Sequence, residues 1–282
     1  MTSKSPLSGI KALTFDVFGT AVSWRDTVAN ALAEAARNKL AFFKSQKKAP
    51  NPEVIKSLEH LVTPEGSAAL AAQWRASYSK FTRGFIKGEM EWKTVDDHHR
   101  DGLASLLASE PWNLPNIFTP SEIQDISLIW HRLHAHPDVP SGLKTLNSFN
   151  LTTATLTNAN RHLLHDLVTF SSLPFHHLFC AEDFYAYKPS PEVYLGACKA
   201  LGLEPGEVAM VAAHLGDLDA ARGVGMRTVY VEREGEEEWD EQRRREARGW
   251  VDVWVAEGEG GFGEIGRRLG GGLGVVDCWE GQ

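Results

Sequence analysis

The second half of the chain alternates between strand-like and helical segments, and this alternation restricts the fold more than any other feature. Short apolar, β-branched runs are followed by longer stretches whose apolar residues recur three and four apart. The predicted strands are residues 151–156, 178–181, 208–212, 228–231 and 251–255, and the predicted helices are residues 161–170, 191–201 and 218–224. Strands that alternate with helices form a parallel sheet covered by helices on both faces. The sequence therefore predicts an α/β fold with a doubly wound parallel sheet.

A further strand is predicted over residues 10–15, and a long helical segment separates it from the other strands. Within residues 24–136 the apolar side chains occur at helical spacing, and no strand is predicted there. We therefore predict two domains. Residues 1–23 and 137–282 form the α/β core, and residues 24–136 form a helical cap that is inserted after the first strand.

Composition and charge argue against several classes of partner. The chain has 282 residues, of which 43% are hydrophobic and 23% are charged, as in ordinary globular proteins. Its formal net charge of −8 argues against nucleic acid and membrane as partners, since both select basic surfaces. Few cysteines (Cys180, Cys198 and Cys278) and the lack of an apolar leader favour a cytoplasmic protein. The charged run 232–248 is predicted to be a solvated helix or loop.

Polar side chains follow or flank four of the predicted strands. They are Asp16 and Thr20 in the first segment, Thr157 and Asn158 in the second, Lys188 in the third, and His214 and Asp217 in the fourth. Because the carboxyl ends of parallel strands share one edge of the sheet, we expect these side chains to meet there. Two aspartates and a lysine are suited to nucleophilic catalysis, since a carboxylate attacks better when it is positioned and partly desolvated.

Phe18 distinguishes between two kinds of chemistry at this edge. The pattern Asp-x-Asp-x-Thr would indicate a magnesium-dependent phosphatase, because two carboxylates can share a hard cation. In Phe15-Asp16-Val17-Phe18-Gly19-Thr20, a phenyl ring stands where the second carboxylate would be. Asp16 is therefore predicted to be a nucleophile that works without a metal ion or cofactor, beside an apolar wall that keeps water away.

In this order, the four segments resemble the four motifs of the haloacid dehalogenase superfamily, over nearly the whole chain. Phe18 and the cap segment Gln73-Trp74-Arg75 resemble the L-2-haloacid dehalogenase branch more narrowly, as do Tyr187-Lys188-Pro189 and Val193-Tyr194. The resemblance implies a Rossmann-like core with a helical cap, no cofactor, and a homodimer. It also implies that a small 2-haloacid and a halide ion are the partners of the chain.

The activity implied by the resemblance is hydrolytic dehalogenation of short (S)-2-haloalkanoic acids to (R)-2-hydroxy acids. Asp16 would displace the halide and form an aspartyl ester, which water would then hydrolyse at the ester carbonyl. Arg75, with Asn158 beside it, would receive the halide, since a delocalised guanidinium suits a large, soft anion. Thr157, Lys188 and backbone N–H groups after Asp16 would bind the substrate carboxylate.

The remaining implied roles concern orientation and water. Thr20 and Tyr194 would orient Asp16 and the pocket, while Phe18 and Trp74 would shape its apolar side. Asp217 would hold Lys188 and help to position or deprotonate the hydrolytic water. With these residues, the set that the resemblance carries over to this sequence is complete.

One departure from the branch concerns the hydrolysis of the ester. Familiar members have serine and asparagine, which help to hold the hydrolytic water, where this chain has Ala212 and His214. We hypothesise that His214 replaces them as a water-orienting group or general base; the alternative is a structural histidine. Residues 38–70 are additional to the compact caps of the branch, and their effect on access or assembly is left open.

The sequence leaves two other functions open. A magnesium-dependent phosphatase would release phosphate only with the metal, whereas dehalogenation would survive a chelator. A catalytically silent relative would bind a small carboxylate or a protein partner and would be stabilised by its ligand without releasing halide. The change at Ala212 and His214 is the feature that keeps the second alternative open.

Overall fold

Six of the eight strands in the described part of the chain form one parallel sheet. The computed structural model describes residues 7–46 and 50–273, so Cys278 lies outside it. The strands are β1 (Ala12–Phe15), β2 (Val22–Ser23), β3 (His134–Ala135), β4 (Thr152–Thr157), β5 (His177–Cys180), β6 (Val208–Ala212), β7 (Arg227–Val231) and β8 (Val253–Val255). The sheet has the order β5-β4-β1-β6-β7-β8, and its neighbouring strands pair in parallel. The predicted α/β fold with a parallel sheet is confirmed.

The order of the strands reverses at β1, which lies between β4 and β6. At such a switch point the connections on either side leave in opposite directions, and a crevice opens beyond the carboxyl ends of the strands. Leu13 and Phe15 of β1 pack into the core on one face of the sheet, and Ala12 packs into the core on the other. Because β1 is buried on both faces, the place where the next residue, Asp16, leaves the sheet is fixed.

The long segment after the first strand is helical. Its helices are α1 (Arg25–Ser45), α2 (Pro52–Val62), α3 (Pro64–Gly84), α4 (Val95–Ala108) and α5 (Pro120–Ser127), followed by a 3₁₀ helix over Leu128–Arg132. The prediction that this segment contains no strand is wrong at its end, where β3 pairs antiparallel with β2. The pairing joins the start and the end of the helical segment. The boundaries of the two domains stay a prediction.

Local sequence signals set the start of α3, the helix that carries Arg75. The side chain of Thr63 accepts a hydrogen bond from Gly66 N, and Pro64 occupies the first helical position. The additional residues 38–70 comprise the end of α1, α2 and the start of α3, except that residues 47–49 lie outside the described residues.

Helices of the α/β part follow the predicted alternation. They are α6 (Val139–Ser148), α7 (Arg161–Phe170), α8 (Ala181–Phe184), α9 (Pro191–Leu201), α10 (Leu215–Gly223), α11 (Glu241–Ala247) and α12 (Gly261–Leu273). Helices α7 and α9 have the predicted bounds, whereas α10 begins at Leu215 rather than at residue 218. As a result, Asp217 lies in the first turn of α10. No helix in the described ranges has the length and apolar character needed to cross a bilayer.

Candidate active site

A cavity of about 520 Å³ lies beyond the carboxyl ends of the central strands and is closed on one side by α3. Asp16 follows β1, Asn158 follows β4, and His214 follows β6. Most of the predicted site residues line this cavity: Asp16, Phe18, Arg75, Asn158, Lys188, Tyr194, His214 and Asp217. The structure thus brings together side chains that are up to about 200 residues apart in sequence.

Asp16 is a buried carboxylate with a charged or hydroxyl partner on each oxygen. Its Oδ1 lies 2.9 Å from Lys188 Nζ, and its Oδ2 accepts a hydrogen bond of 2.7 Å from Thr20 Oγ1. His214 Nδ1 lies 3.3 Å from the same Oδ2. Burial alone would raise the pKa of Asp16, but attraction by Lys188 and His214 and the Thr20 hydrogen bond outweigh it and lower the pKa. The lowered pKa therefore favours the ionised form of Asp16 at neutral pH.

Lys188 lies between two carboxylates. Its Nζ is 2.9 Å from Asp16 and 2.5 Å from Asp217 Oδ2, and the Tyr194 hydroxyl donates to Asp217 Oδ1 at 2.6 Å. Burial acts to lower the pKa of Lys188, but the two carboxylates raise it above its ordinary value. Burial and the charge of Asp16 raise the pKa of Asp217. Lys188 is therefore a fixed positive charge at the floor of the cavity.

Asn158 fixes the backbone that carries this lysine. The Asn158 side chain accepts from Lys188 N at 2.7 Å and donates to Lys188 O at 3.0 Å. Both ends of the amide are thus committed to Lys188, and the role of Asn158 beside the halide stays a prediction. The neighbouring Thr157 hydroxyl is buried and has no hydrogen-bond partner among the described residues. Thr157 is not among the residues that line the cavity, so its contact with the substrate carboxylate stays a prediction.

Arg75 and Tyr78 face the cavity from α3, one helical turn apart. The Arg75 guanidinium lies 4.7 Å from the Tyr78 ring centroid and 5.9 Å from that of Phe18. The Tyr78 hydroxyl donates to Asn158 O at 2.9 Å and so joins α3 to the loop after β4. Sequence reasoning did not assign Tyr78 to the site, although its spacing of three residues from Arg75 predicts a shared helix face.

Trp74, Thr20 and Thr157 are fully buried. The Trp74 indole donates to His99 O at 3.0 Å and packs against Trp130, with ring centroids 5.5 Å apart. Trp74 therefore lies in the interior of the helical segment, and its role in shaping the pocket stays a prediction. Phe18 packs edge-on against both Tyr78 and Trp130, which gives the region beside Asp16 its aromatic character.

Glu236 is a site residue that the sequence analysis missed. The charge pattern of residues 232–248 predicts a solvated run, and for Glu236 this prediction is wrong, since only 9% of the residue is exposed. Its Oε1 accepts from Trp24 Nε1 at 2.9 Å, and its Oε2 lies 3.4 Å from His214 Nε2. The burial of Glu236 depends on Trp24 and His214, which are distant in sequence, so the local charge pattern gave no sign of it.

His214 lies between two carboxylates, with Asp16 at Nδ1 and Glu236 at Nε2. Burial acts to lower the pKa of His214, but hydrogen bonds to Asp16 and Glu236 outweigh it and raise the pKa to about 9. This raised pKa favours the imidazolium form of His214 at neutral pH. A cationic ring cannot accept a proton, so the hypothesised general base is available only after its surroundings change.

The comparisons with known proteins all point to the same family. The family model of haloacid dehalogenase-like hydrolases matches residues 10–225. The chain is 34% identical over 108 residues to (S)-2-haloacid dehalogenase 4A of Burkholderia cepacia, a match that covers 38% of this chain and 47% of that protein. It is 32% identical over 106 residues to (S)-2-haloacid dehalogenase 1 of Pseudomonas sp. strain CBS-3, covering 37% and 47%. The chain thus spans about half the length of the curated relatives it matches.

Solved structures extend the similarity over most of the chain. A defluorinating L-2-haloacid dehalogenase has a TM-score of 0.72 and 27% identity, covering 94% of this chain and 98% of that one. The L-2-haloacid dehalogenase of Xanthobacter autotrophicus with chloropropionic acid covalently bound has a TM-score of 0.67 and 19% identity, covering 95% and 100%. At that lower identity the second likeness shows a shared fold alone.

Proposed function

This chain belongs to the haloacid dehalogenase-like hydrolase family, and we propose that it is an (S)-2-haloacid dehalogenase that works through an aspartyl ester. The observation that carries the proposal is the setting of Asp16. Its ionised carboxylate is held by Lys188 and Thr20, and Phe18 is beside it in the cavity. The dehalogenase names of the curated relatives support the same activity.

Lys188 and Arg75, two of the cations that line the cavity, suit a substrate that is itself an anion and releases another. Lys188 is paired with Asp16 and Asp217, while the Arg75 guanidinium rests on the rings of Tyr78 and Phe18. We assign the substrate carboxylate to Lys188 and the halide to Arg75. A weakly hydrated guanidinium on aromatic faces is a favourable site for a large, soft anion.

The first step is an SN2 displacement. An oxygen of Asp16 forms a bond to C2 of the haloacid while the carbon–halogen bond breaks, and both bonding electrons leave with the halide. Attack from the side opposite the halogen inverts the carbon. The product is a neutral ester of Asp16, so the carboxylate charge that faced Lys188 and His214 is lost. The aromatic surroundings of Phe18 keep competing water from Asp16 during this step.

The second step returns the enzyme to its starting state. Once Asp16 is an ester, His214 retains only one of its two carboxylate partners, so its pKa falls and the ring can lose its proton to solvent. Neutral His214 can then take a proton from the water that attacks the ester carbonyl. The proposed role of His214 thus begins only when the ester exists. Lys188 stays paired with Asp217 during this step.

The position of Lys188 also bears on the phosphatase alternative. Its ammonium lies between Asp16 and Asp217, within 2.9 Å of each, which is the place a cation shared by these two carboxylates would need. Phe18 offers no oxygen ligand, and residue 221, where a further carboxylate would help, is Ala221 in α10. Both features favour a substrate that is attacked without a metal ion.

Family analogy supports two further proposals about the organisation of the chain. We propose that the α/β core comprises residues 1–23 and 137–282, that residues 24–136 form a cap domain, and that the protein is a homodimer. Size-exclusion chromatography with light scattering measures the mass of the assembly directly. A mass of 31.2 kDa, that of one chain, would contradict the dimer.

The decisive experiment follows chloride release from (S)-2-chloropropanoate in the presence of a chelator. We expect release by the wild type, none by Asp16→Asn, and none from the (R) enantiomer. In one turnover in heavy-oxygen water, the isotope should enter Asp16 and not the first product. Phosphate release that requires magnesium would establish the phosphatase instead. Ligand-induced stabilisation without halide or adduct would identify a silent relative.

A further inference from the structure

We propose that Glu236 is a positioning residue that holds His214 for hydrolysis of the Asp16 ester. The inference rests on the proposed dehalogenation and concerns only its second step. Asp16 would then be the nucleophile, His214 the base and Glu236 the group that orients the base. The three residues come from three separate segments of the chain.

The geometry commits each ring nitrogen of His214 to one carboxylate. Nδ1 lies 3.3 Å from Asp16 Oδ2, and Nε2 lies 3.4 Å from Glu236 Oε2. A ring held at both nitrogens has one orientation, with Nδ1 directed at the nucleophile. When Asp16 becomes an ester, the contact with Glu236 is the one that persists, and it keeps the remaining ring proton on Nε2. Nδ1 is then free to accept.

Glu236 is itself held from two directions. Trp24 Nε1 donates to its Oε1 at 2.9 Å, and Arg25 Nε lies 3.2 Å from the same oxygen. Gly19 leaves the space that the carboxylate occupies, because a Cβ at residue 19 would lie 2.2 Å from Glu236 Oε2. Burial would raise the pKa of Glu236, but the hydrogen bond and charge of His214 outweigh it and lower the pKa. Glu236 is therefore a fixed carboxylate behind the ring.

Atoms and charges balance in the step that this arrangement supports. The water oxygen bonds to the ester carbonyl carbon while His214 Nδ1 takes one water proton, and the negative charge of Glu236 stabilises the imidazolium that forms. The bond between that carbon and the alcohol oxygen then breaks, and His214 returns the proton to the leaving oxygen. The Asp16 carboxyl group that remains loses its proton to His214, which restores the starting ion pair.

Neighbouring glutamates supply a matched control. Glu237 Oε2 accepts from Leu215 N at 2.8 Å, and Glu238 pairs with Arg83 at the edge of the cavity, with 55% of its side chain exposed. Glu238 thus has the same charge and lines the same cavity but does not contact His214. Asp16, Arg75 and Arg25 are the charged groups that act on His214 or Glu236, and the titratable ring of His136 also interacts with Glu236.

The test compares Glu236→Gln, Glu236→Asp and Glu238→Gln with the wild type in rapid-mixing experiments on (S)-2-chloropropanoate. Glutamine keeps the shape and can still accept from Trp24. We expect Glu236→Gln to release the first equivalent of chloride at nearly the wild-type rate and to hydrolyse the ester about 10²-fold more slowly. The ester should accumulate as added protein mass, with Glu236→Asp partly restored and Glu238→Gln normal.

The outcomes separate this inference from the proposed function. If the wild type releases no halide from any haloacid, the proposed function fails. If it does, but Glu236→Gln hydrolyses its ester at the wild-type rate, the positioning role of Glu236 is wrong. Loss of both steps together in the Gln and Asp variants, with a lower melting temperature, would show a structural role and also overturn the inference. The pH profile of ester hydrolysis should move in Glu236→Gln and not in Glu238→Gln.

Discussion

Lys188 Nζ lies 2.9 Å from Asp16 Oδ1, so the proposed nucleophile is one half of a buried ion pair. Such a pair lowers the pKa of Asp16 and raises that of Lys188, which keeps both groups charged. The same pairing restrains the attack, since the ammonium attracts the electrons that the carboxylate must donate. Asp217 offsets this effect by sharing the ammonium at 2.5 Å.

Removing this lysine should therefore affect both stability and rate. We expect Lys188→Met to lower the free energy of unfolding by about 3–5 kcal/mol, because a buried carboxylate loses its partner. The pKa of Asp16 should rise and halide release should fall at acidic pH. Urea unfolding and initial-rate measurements test both effects. Lys199→Met, at an exposed position of α9, is the control and should change neither.

Stability should depend on pH through His214. Its pKa is raised to about 9, from an ordinary value of 6.5. Its ion pairs therefore contribute fully below pH 6.5, and the contribution is lost as the pH rises toward 9 and beyond. We expect this to account for about 2–3 kcal/mol of unfolding free energy. Urea unfolding at pH 6 and pH 10 should show a smaller difference in His214→Asn than in the wild type.

An exposed histidine provides the control for this measurement. His165 has 75% of its side chain exposed, and His165→Asn should keep the pH dependence of the wild type. If His214→Asn shows the same loss of stability between pH 6 and pH 10 as the wild type, the ion pairs of His214 do not contribute as expected.

Phe18 should determine which substrates the site accepts. Its ring lies edge-on to Tyr78 and Trp130, with centroids 6.2 and 6.1 Å away. A carboxylate at this position would attract water and repel both Asp16 and an anionic haloacid. We therefore expect Phe18→Asp to reduce chloride release at least 10²-fold, and Phe18→Leu to retain most of it. Equal rates for the two variants would show that the apolar wall is unimportant.

Arg75 should govern how readily the halide leaves. Its guanidinium lies on the rings of Tyr78 and Phe18, a setting that a compact ammonium cannot reproduce. We expect Arg75→Lys to slow chloride release about tenfold, the size of effect that the loss of about 1.4 kcal/mol produces. Arg83→Lys, at an exposed ion pair with Glu238, should behave as the wild type. Burst kinetics with chloro and bromo substrates measures the effect.

Much of the fold was predictable, because buried strands and amphipathic helices leave periodic patterns in the sequence. Strand β6 and helices α7 and α9 have the predicted bounds for this reason. The two-residue strands β2 and β3 are too short to leave a pattern. Asp16 and Lys188 could be expected to meet because both lie at the carboxyl edge of one sheet. Glu236 could not, since its burial is created by distant residues in a run that is otherwise charged and exposed.

Gly19 makes room for the Glu236 carboxylate, which can occupy its buried position only if residue 19 lacks a side chain. Gly19 has a φ of +83°, and a Cβ there would lie 2.2 Å from Glu236 Oε2. We expect Gly19→Ala to displace Glu236 and to make the Asp16 ester accumulate, as in Glu236→Gln. Backbone strain alone costs about 1–2 kcal/mol in this region.

Gly88 provides the control that isolates this strain. It has a φ of +87°, and a Cβ added there would meet no described atom within 4 Å beyond its own chain neighbours. Gly88→Ala therefore introduces the same unfavourable backbone conformation without displacing a carboxylate. Ester accumulation in Gly19→Ala and not in Gly88→Ala, measured by intact mass, would tie the effect to Glu236; accumulation in neither would contradict it.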